Sequence, residues 1–254
     1  MNTRSLLRSL AVYYPQRLRE SYDHGGLMVG KLPLETKKIF LCLDFDDEVY
    51  PLALKEKPDL ILTHHPFFFG SRNKILKEDP VKAALYEKML QAGMTLCSYH
   101  TNFDSGNPGM NDELAEKLGL IDPKPLLEAP MARGGRLPEP MEIHAFARFA
   151  KSKLGVDYGL LIAAGKQEIT TVALIGGGGW MENEIAQKEG YDIYLSGDCP
   201  HHGRREIVLR NYNYLDLPHE IEKAFMTRMT KTLLTINQSL VISSVDHEKL
   251  PEVI

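Results

Sequence analysis

Three apolar runs in this 254-residue sequence end in side chains that can bind a metal or move a proton. The run "DLILT" is followed by His64 and His65, "MTLCSY" by "HTNFD" with His100 and Asp104, and "NYLDL" by "LPHEIEK" with His219, Glu220 and Glu222. Neighbouring side chains on an extended strand point to opposite faces, so adjacent histidines converge only where the strand ends and the backbone turns. Pro66 supplies that turn. Imidazole is the commonest metal ligand, and several His and carboxylate side chains around one crevice are what two divalent ions need, with a bridging carboxylate and open positions for water. Each segment also has a plainer use. One imidazole of the pair could be buried and the other at the surface, and Asn102 and Asp104 could be turn residues beside a core histidine, His100. Acidic residues in a first helical turn complement the macrodipole without any metal. The coincidence at three strand ends favours the metal reading. His219 and Glu222, three apart on a helix, share a face from which Glu220 is turned away, so Glu222 is the expected carboxylate. Lys223 lies on that face too, and its long stem must carry the ammonium outward.

For such ends to meet, the strands must lie in one open sheet, where ligands collect outside the carboxyl ends. Strands are expected near "KIFLCLDF", "DLILT", "MTLCSY", "GLLIAA", "TTVALIG", "YDIYLSG", "NYLDL" and "LVISSV", with amphipathic helical patterns between them. Asp79, Asn111 and Pro218 stand where helix starts want a cap or a first-turn proline, and Gly93 and Gly155 where helix ends want glycine. The class is α/β. The segment "DPKPLLEAPMARGGRLPEP" (122–140) has five prolines and no sustained period, and reads as a connector. The expected organisation is two-lobed, each lobe a mixed sheet with flanking helices. Residues 1–125 plus 213–254 form a metal-binding lobe and 126–212 a smaller lobe, inserted before the C-terminal helix and strand of the first.

The bulk composition narrows the partners. A formal charge of −4 gives no basic field to hold nucleic acid, and no apolar run approaches the length of a membrane span. Cys42, Cys97 and Cys199 are odd in number and form no CxxC pair, which fits reduced thiols of a cytoplasmic protein. The N-terminal residues mix charges through their apolar positions, unlike a secretion signal.

Read together, "YDHGGLMVGK", "LTHHPFF", "SYHTNFDSGNPGMNDELAEKLGL", "TTVALIGGGGW" and "YDIYLSGDCPHH" occur in the order and spacing of the GTP cyclohydrolase 1 type 2 homologue family, also described as NGG1-interacting-factor-like dinuclear metal proteins. The chain resembles that family over nearly its whole length. The resemblance implies a two-lobed α/β protein assembled into a toroidal homohexamer, with a two-metal site facing an internal cavity. It implies His64, His65 and Asp104 as ligands and His100 beside them, either supporting a ligand from outside or transferring a proton. Two departures stand out. The family's last motif places a Glu four residues after its His, where this chain has Glu222 three after His219 and Lys223 four after. Its N-terminal motif, Trp-Asp-Asn-x-Gly-Leu, is here Tyr22-Asp23-His24-Gly25-Gly26-Leu27, which makes His24 an extra candidate near the site, expected as a turn residue rather than a ligand.

Other motifs compete. "FLCLDFDDEV" partly mimics a haloacid-dehalogenase-type phosphatase, with Asp44 as nucleophile and Asp46 as acid, but Glu48 stands where a Thr belongs. "IGGGGW" follows a strand as a phosphate loop would, yet lacks the full G-x-G-x-x-G spacing and reads as a tight turn. "SGDCPHHGRR" offers His201 and His202 to an anionic substrate, by the family resemblance. The leading expectation is a hydrolase with two divalent ions (Zn, Fe, Mn or Ni) and a metal-activated water, acting on a small molecule such as a purine nucleotide if the family name is a guide. The alternative is a metal-binding or metal-delivery protein, which closed coordination would favour. An oligomer is also expected from the aromatic "PFFFG", which a monomer would struggle to leave in water.

Overall fold

The computed structural model describes residues 1–252. The chain runs α1 (Thr3–Tyr13), a 3-10 turn (Gln16–Leu18), β1 (Gly26–Val29), β2 (Lys38–Cys42), α2 (Val49–Glu56), β3 (Leu60–Thr63), α3 (Arg72–Glu78), α4 (Pro80–Gln91), β4 (Leu96–Ser98) and α5 (Thr101–Asp104). It continues through α6 (Met110–Lys117), β5 (Ile121–Pro125), β6 (Arg133–Glu142), α7 (Ile143–Leu154), β7 (Leu160–Ala163), β8 (Glu168–Leu174), a 3-10 turn (Trp180–Glu182) and α8 (Asn183–Lys188). The last elements are β9 (Ile193–Ser196), α9 (His201–Leu209), β10 (Asn213–Asp216), a 3-10 helix (His219–Lys223), α10 (Ala224–Ile236) and β11 (Val241–Ser244). Two compact units result: Met1–Asn107 with Phe225–Glu248, and Pro108–Ala224 with residues 249–252.

In the first unit, β2, β3 and β4 are continuous apolar runs, the pattern of strands covered on both faces. They are the interior of a sheet ordered β1-β4-β3-β2-β11. β11, β2, β3 and β4 are parallel and β1 is antiparallel at the edge. Parallel strands end on the same side, so the carboxyl ends of β3 and β4 lie next to each other. The core packs Phe40, Cys42, Phe45, Ile61, Phe67, Phe68 and Met89. Phe67 and Phe68 are therefore interior, and only Phe69 of the three phenylalanines is exposed, at 60 %. The aromatic argument for an oligomer loses its force, because Pro66 turns the chain inward and sends two of those rings into the core.

The second unit has a mixed sheet ordered β5-β6-β8-β9-β10-β7. The proline-rich segment read as a connector supplies two of its strands. Pro123 and Pro125 are tolerated because β5 is an edge strand, and Pro138 and Pro140 fall where the β6–β8 register slips between Arg136 and Met141. Buried Arg133 pins β6 to α6 by a two-pronged pair with Asp112, Nε to Oδ1 at 2.7 Å and Nη2 to Oδ2 at 3.0 Å. β10, expected in the first lobe, instead pairs parallel with β9 and antiparallel with β7. A buried run announces a central strand but not which sheet receives it.

The caps follow the sequence in most places. Asp79 Oδ1 accepts from the Lys82 N–H with Pro80 opening α4, and Gly155 closes α7 at φ 71°. Asn111 is the exception. It lies inside α6, where its buried amide accepts from the Gly176 N–H at 2.8 Å and donates to the Met131 carbonyl at 3.1 Å. Among the described residues no helix is long and apolar enough to cross a membrane.

Candidate metal centre

The β3 end is held open by hydrogen bonds that outlast the strand. The N–H of His65 donates to the Leu43 carbonyl at 3.0 Å, and Thr63 Oγ1 bonds both the His65 carbonyl and Ser98 Oγ at 2.8 Å. The chain then turns at Pro66 with both imidazoles on the same side. His64 Nδ1 lies 2.9 Å from the Tyr99 carbonyl and His65 Nδ1 lies 2.7 Å from Asp44 Oδ2. A carbonyl and an ionised carboxylate only accept, so both Nδ1 atoms carry the proton and Nε2 is the unprotonated nitrogen of each ring. His64, His65 and His100 each bring one ring nitrogen within 4.8 Å of the others. Asp104, the last residue of α5, sets Oδ1 3.5 Å from His64 Nε2. The rings of Phe103 and Phe225 pack on His64, with centroids 6.2 and 5.5 Å away, and His64 itself is fully buried. The imidazole and carboxylate groups that converge here could hold a metal ion.

His100 has its own orienting group. Its Nδ1 lies 3.4 Å from Oδ1 of Asp23, which also accepts from the N–H of Gly25 and from the N–H and hydroxyl of Thr101. Burial pushes the Asp23 carboxyl up, but the nearby His100 ring and the hydrogen bonds from Thr101 and Gly25 outweigh it and hold the group far below the usual carboxylate range. Asp44 behaves alike: burial raises it, and the His65 hydrogen bond with the charges of His65, His64 and His247 brings it below its ordinary value.

In the second unit, His219 opens the 3-10 helix that follows β10. With three residues per turn, side chains three apart eclipse, and His219 Nε2 meets Glu222 Oε2 at 2.9 Å. Nδ1 of His219 lies 2.6 Å from Asp198 Oδ2. Lys223 carries its ammonium away to the Gly155 carbonyl at 3.1 Å. Glu222 is 4 % exposed, whereas Glu220 is half-exposed. The "IGGGGW" turn makes the room: Gly177 has φ +65°, and a Cβ there would fall 2.1 Å from Glu222 Oε1. Its glycines serve this carboxylate's approach. His201 and His202 are exposed in the first turn of α9, with His202 edge-on to Trp180, and neither joins a metal-ligating cluster among the described residues. His24 is exposed in the irregular segment before β1 and joins no metal-ligating cluster among the described residues.

Asp44, Asp198 and Asp23 were not assigned these roles by the sequence. Asp44 carried the phosphatase reading, but it is bound to His65, and Asp46 caps α2 by accepting from the Glu48 and Val49 N–H groups at 2.9 Å. The usable signal for Asp44 and Asp198 was a carboxylate at or just past the end of an apolar run, as in "FLCLD" and "YLSGD".

Two mixed-sheet α/β units, with a buried His and carboxylate cluster that could bind a metal, define the class. The chain belongs to the Duf34/NIF3 (NGG1p interacting factor 3) family, whose model matches residues 1–249. It is 32 % identical over 211 residues to a Clostridium perfringens protein named GTP cyclohydrolase 1 type 2 homolog, covering 81 % of this chain and 80 % of that one. A Methanocaldococcus jannaschii protein of the same name is 29 % identical over 254 residues, 97 % of this chain and all of its own. Among solved structures, that of reduced HcgD from Methanocaldococcus jannaschii matches with TM-score 0.81 and 26 % identity, over 97 % of this chain and 98 % of that one. The crystal structure of a Bacillus cereus protein related to NIF3 shares the fold with TM-score 0.88 at 19 % identity, over 100 % of this chain and 99 % of that one.

Proposed function

We propose that the protein is a dinuclear-metal-dependent hydrolase whose ligands are His64, His65, Asp104, His219 and Glu222. The observation that carries this reading is the fixed tautomer. His64 and His65 have Nδ1 committed to an oxygen acceptor, which makes Nε2 the nitrogen able to ligate a metal. When bound, two such ions supply Lewis acidity and lower the pKa of a water. His100, oriented by Asp23, holds or moves a proton at its ring nitrogen. His201 and His202 bind the anionic part of the substrate. The substrate class is a small molecule, with a purine nucleotide first in line because the relatives' printed name is a cyclohydrolase name. The protein works in the cytoplasm as a homohexamer, by family resemblance. Its three cysteines are buried and free.

A second reading, metal binding or delivery without turnover, draws on His100 standing within 4.8 Å of both other imidazoles. If His100 closes the coordination shell, no position remains for substrate. A substrate screen of the metal-reconstituted protein, with a His65→Ala control, separates the two. Metal-dependent turnover that the control lacks supports the hydrolase. Full metal loading without turnover on any nucleotide supports delivery. A monomer by light scattering at micromolar concentration contradicts the hexamer.

A further inference from the structure

The edge strands of the two sheets are finished differently. β5 carries Pro123 and Pro125, and β1 is interrupted by a register shift between Leu27 and Val29. Prolines and bulges keep a sheet edge from pairing with another chain. β11 ends in two serines. β7 has none of these features. It lies in the run "GLLIAA", apolar, uncharged and free of proline. Leu160 is 51 % exposed, Ala163 is exposed, and Leu161 and Ile162 are half-buried. Backbone groups alternate in direction along an antiparallel pair, so every second residue of β7 bonds to β10 and the others turn their N–H and C=O outward. Among the described residues no strand pairs with that outer edge and no hydrogen bond reaches it. Leu250–Glu252 pass the start of the strand at Tyr158 and Gly159, with which they line a cavity, and form no ladder with it.

We propose that β7 is a contact between two copies of this chain, its outer edge pairing antiparallel with the same edge of a second copy and joining two six-stranded sheets into one. Charge selects both the occupant and the direction. Asp157 stands three residues before β7 and Lys166 three residues after it, and both are exposed. Antiparallel pairing lays the start of one strand beside the end of the other, so Asp157 of each copy comes beside Lys166 of its partner. Lys166 already holds Asp192 and has N–H donors to spare. Parallel pairing would set Asp157 against Asp157 and Lys166 against Lys166, and like charges opposite each other are destabilising. An apolar strand between an acid and a base is thus complementary to itself, which is what an isologous two-fold contact requires. The two-fold axis makes one residue of the strand face its own counterpart, and a centred overlap makes that residue Leu161 or Ile162. The contact needs neither the hydrolase reading nor the hexamer.

Cross-linking tests the contact on the full-length protein. Directly facing residues of an antiparallel pair have Cα atoms about 4.5–5.5 Å apart, inside the span of about 4.4–6.8 Å that a disulfide bridges. Leu161→Cys and Ile162→Cys are made singly and oxidised mildly at low micromolar concentration. The parent is the control, since Cys42, Cys97 and Cys199 are buried. Leu160→Lys/Ala163→Lys changes two exposed positions and crowds like charges at the junction; circular dichroism confirms that each variant folds. A disulfide-linked dimer from at least one cysteine variant and none from the parent, with the light-scattering mass of the folded lysine variant about half that of the parent, is the expected result. No cross-link above the parent in either cysteine variant, or an unchanged mass in the folded lysine variant, overturns the proposal. A hexamer mass without the cross-link refutes this contact and leaves the hexamer standing, whereas a dimer mass with the cross-link supports the contact and refutes the hexamer.

Discussion

His65 and His219 are held by the same device in unlike surroundings. Each gives Nδ1 to an aspartate, Asp44 at 2.7 Å and Asp198 at 2.6 Å. The His65 side chain is 13 % exposed and that of His219 is 38 % exposed. Asp44 follows directly on the apolar stretch that begins with β2, so the sheet positions it. Asp198 sits at φ 57°, a left-handed conformation that costs a non-glycine residue energy unless its surroundings enforce it. One imidazole is aimed by a carboxylate at the end of a sheet strand, the other by a carboxylate in a turn with a left-handed backbone. The first arrangement should resist single changes around it, and the second should be easier to dislodge.

The largest expected effect in the turn-built region comes from its carboxylate. Glu222→Gln should lose at least one ion per chain by metal titration with the fold intact, whereas Glu220→Gln should leave metal content alone. The reverse pattern would move the ligand to Glu220. On the scaffold side, Asp44→Ala frees His65 to rotate and change tautomer, and removing such an outer partner typically weakens metal affinity about 10–100-fold. Competition with a chelator measures it, and unchanged affinity would mean that the sheet alone aims His65. Gly177→Ala comes next. Its Cβ would collide with Glu222 at a left-handed position, which should cost about 1–3 kcal/mol of stability in denaturant unfolding; a neutral result would show the turn to be plastic. The smallest effect is acidic. The Asp23 carboxyl is depressed in the folded protein from an ordinary value of 3.8, so its contribution is fully present above that pH and is lost as pH falls below it. Asp23→Asn should therefore make stability fall less steeply with acid below about pH 4, and an unchanged slope would remove Asp23 from the account.

How much of this was visible in the sequence differs between the same two regions. The runs around "DLILT" and "MTLCSY" gave strands and their histidine-bearing ends directly, because buried parallel strands are continuous apolar runs. The shared face of His219 and Glu222 followed from their spacing and is tighter in the 3-10 helix than in an α-helix. Strand partnership was not legible: β10 and the proline-bearing β5 and β6 joined the second sheet because pairing between distant segments, not local pattern, decides where an edge or interior place is open. The orienting aspartates were hidden for a similar reason. Asp44 is 21 positions from His65, and so is Asp198 from His219, and no local rule links them.

The central claim is that paired histidines presenting Nε2 at the end of β3 hold metal. Elemental analysis of the reconstituted, desalted protein beside a His64→Ala/His65→Ala variant tests it most directly. Up to two divalent ions per chain in the parent protein, with a clear loss in the folded double variant, is the predicted result. No metal in the parent, or equal content in both proteins, would contradict it.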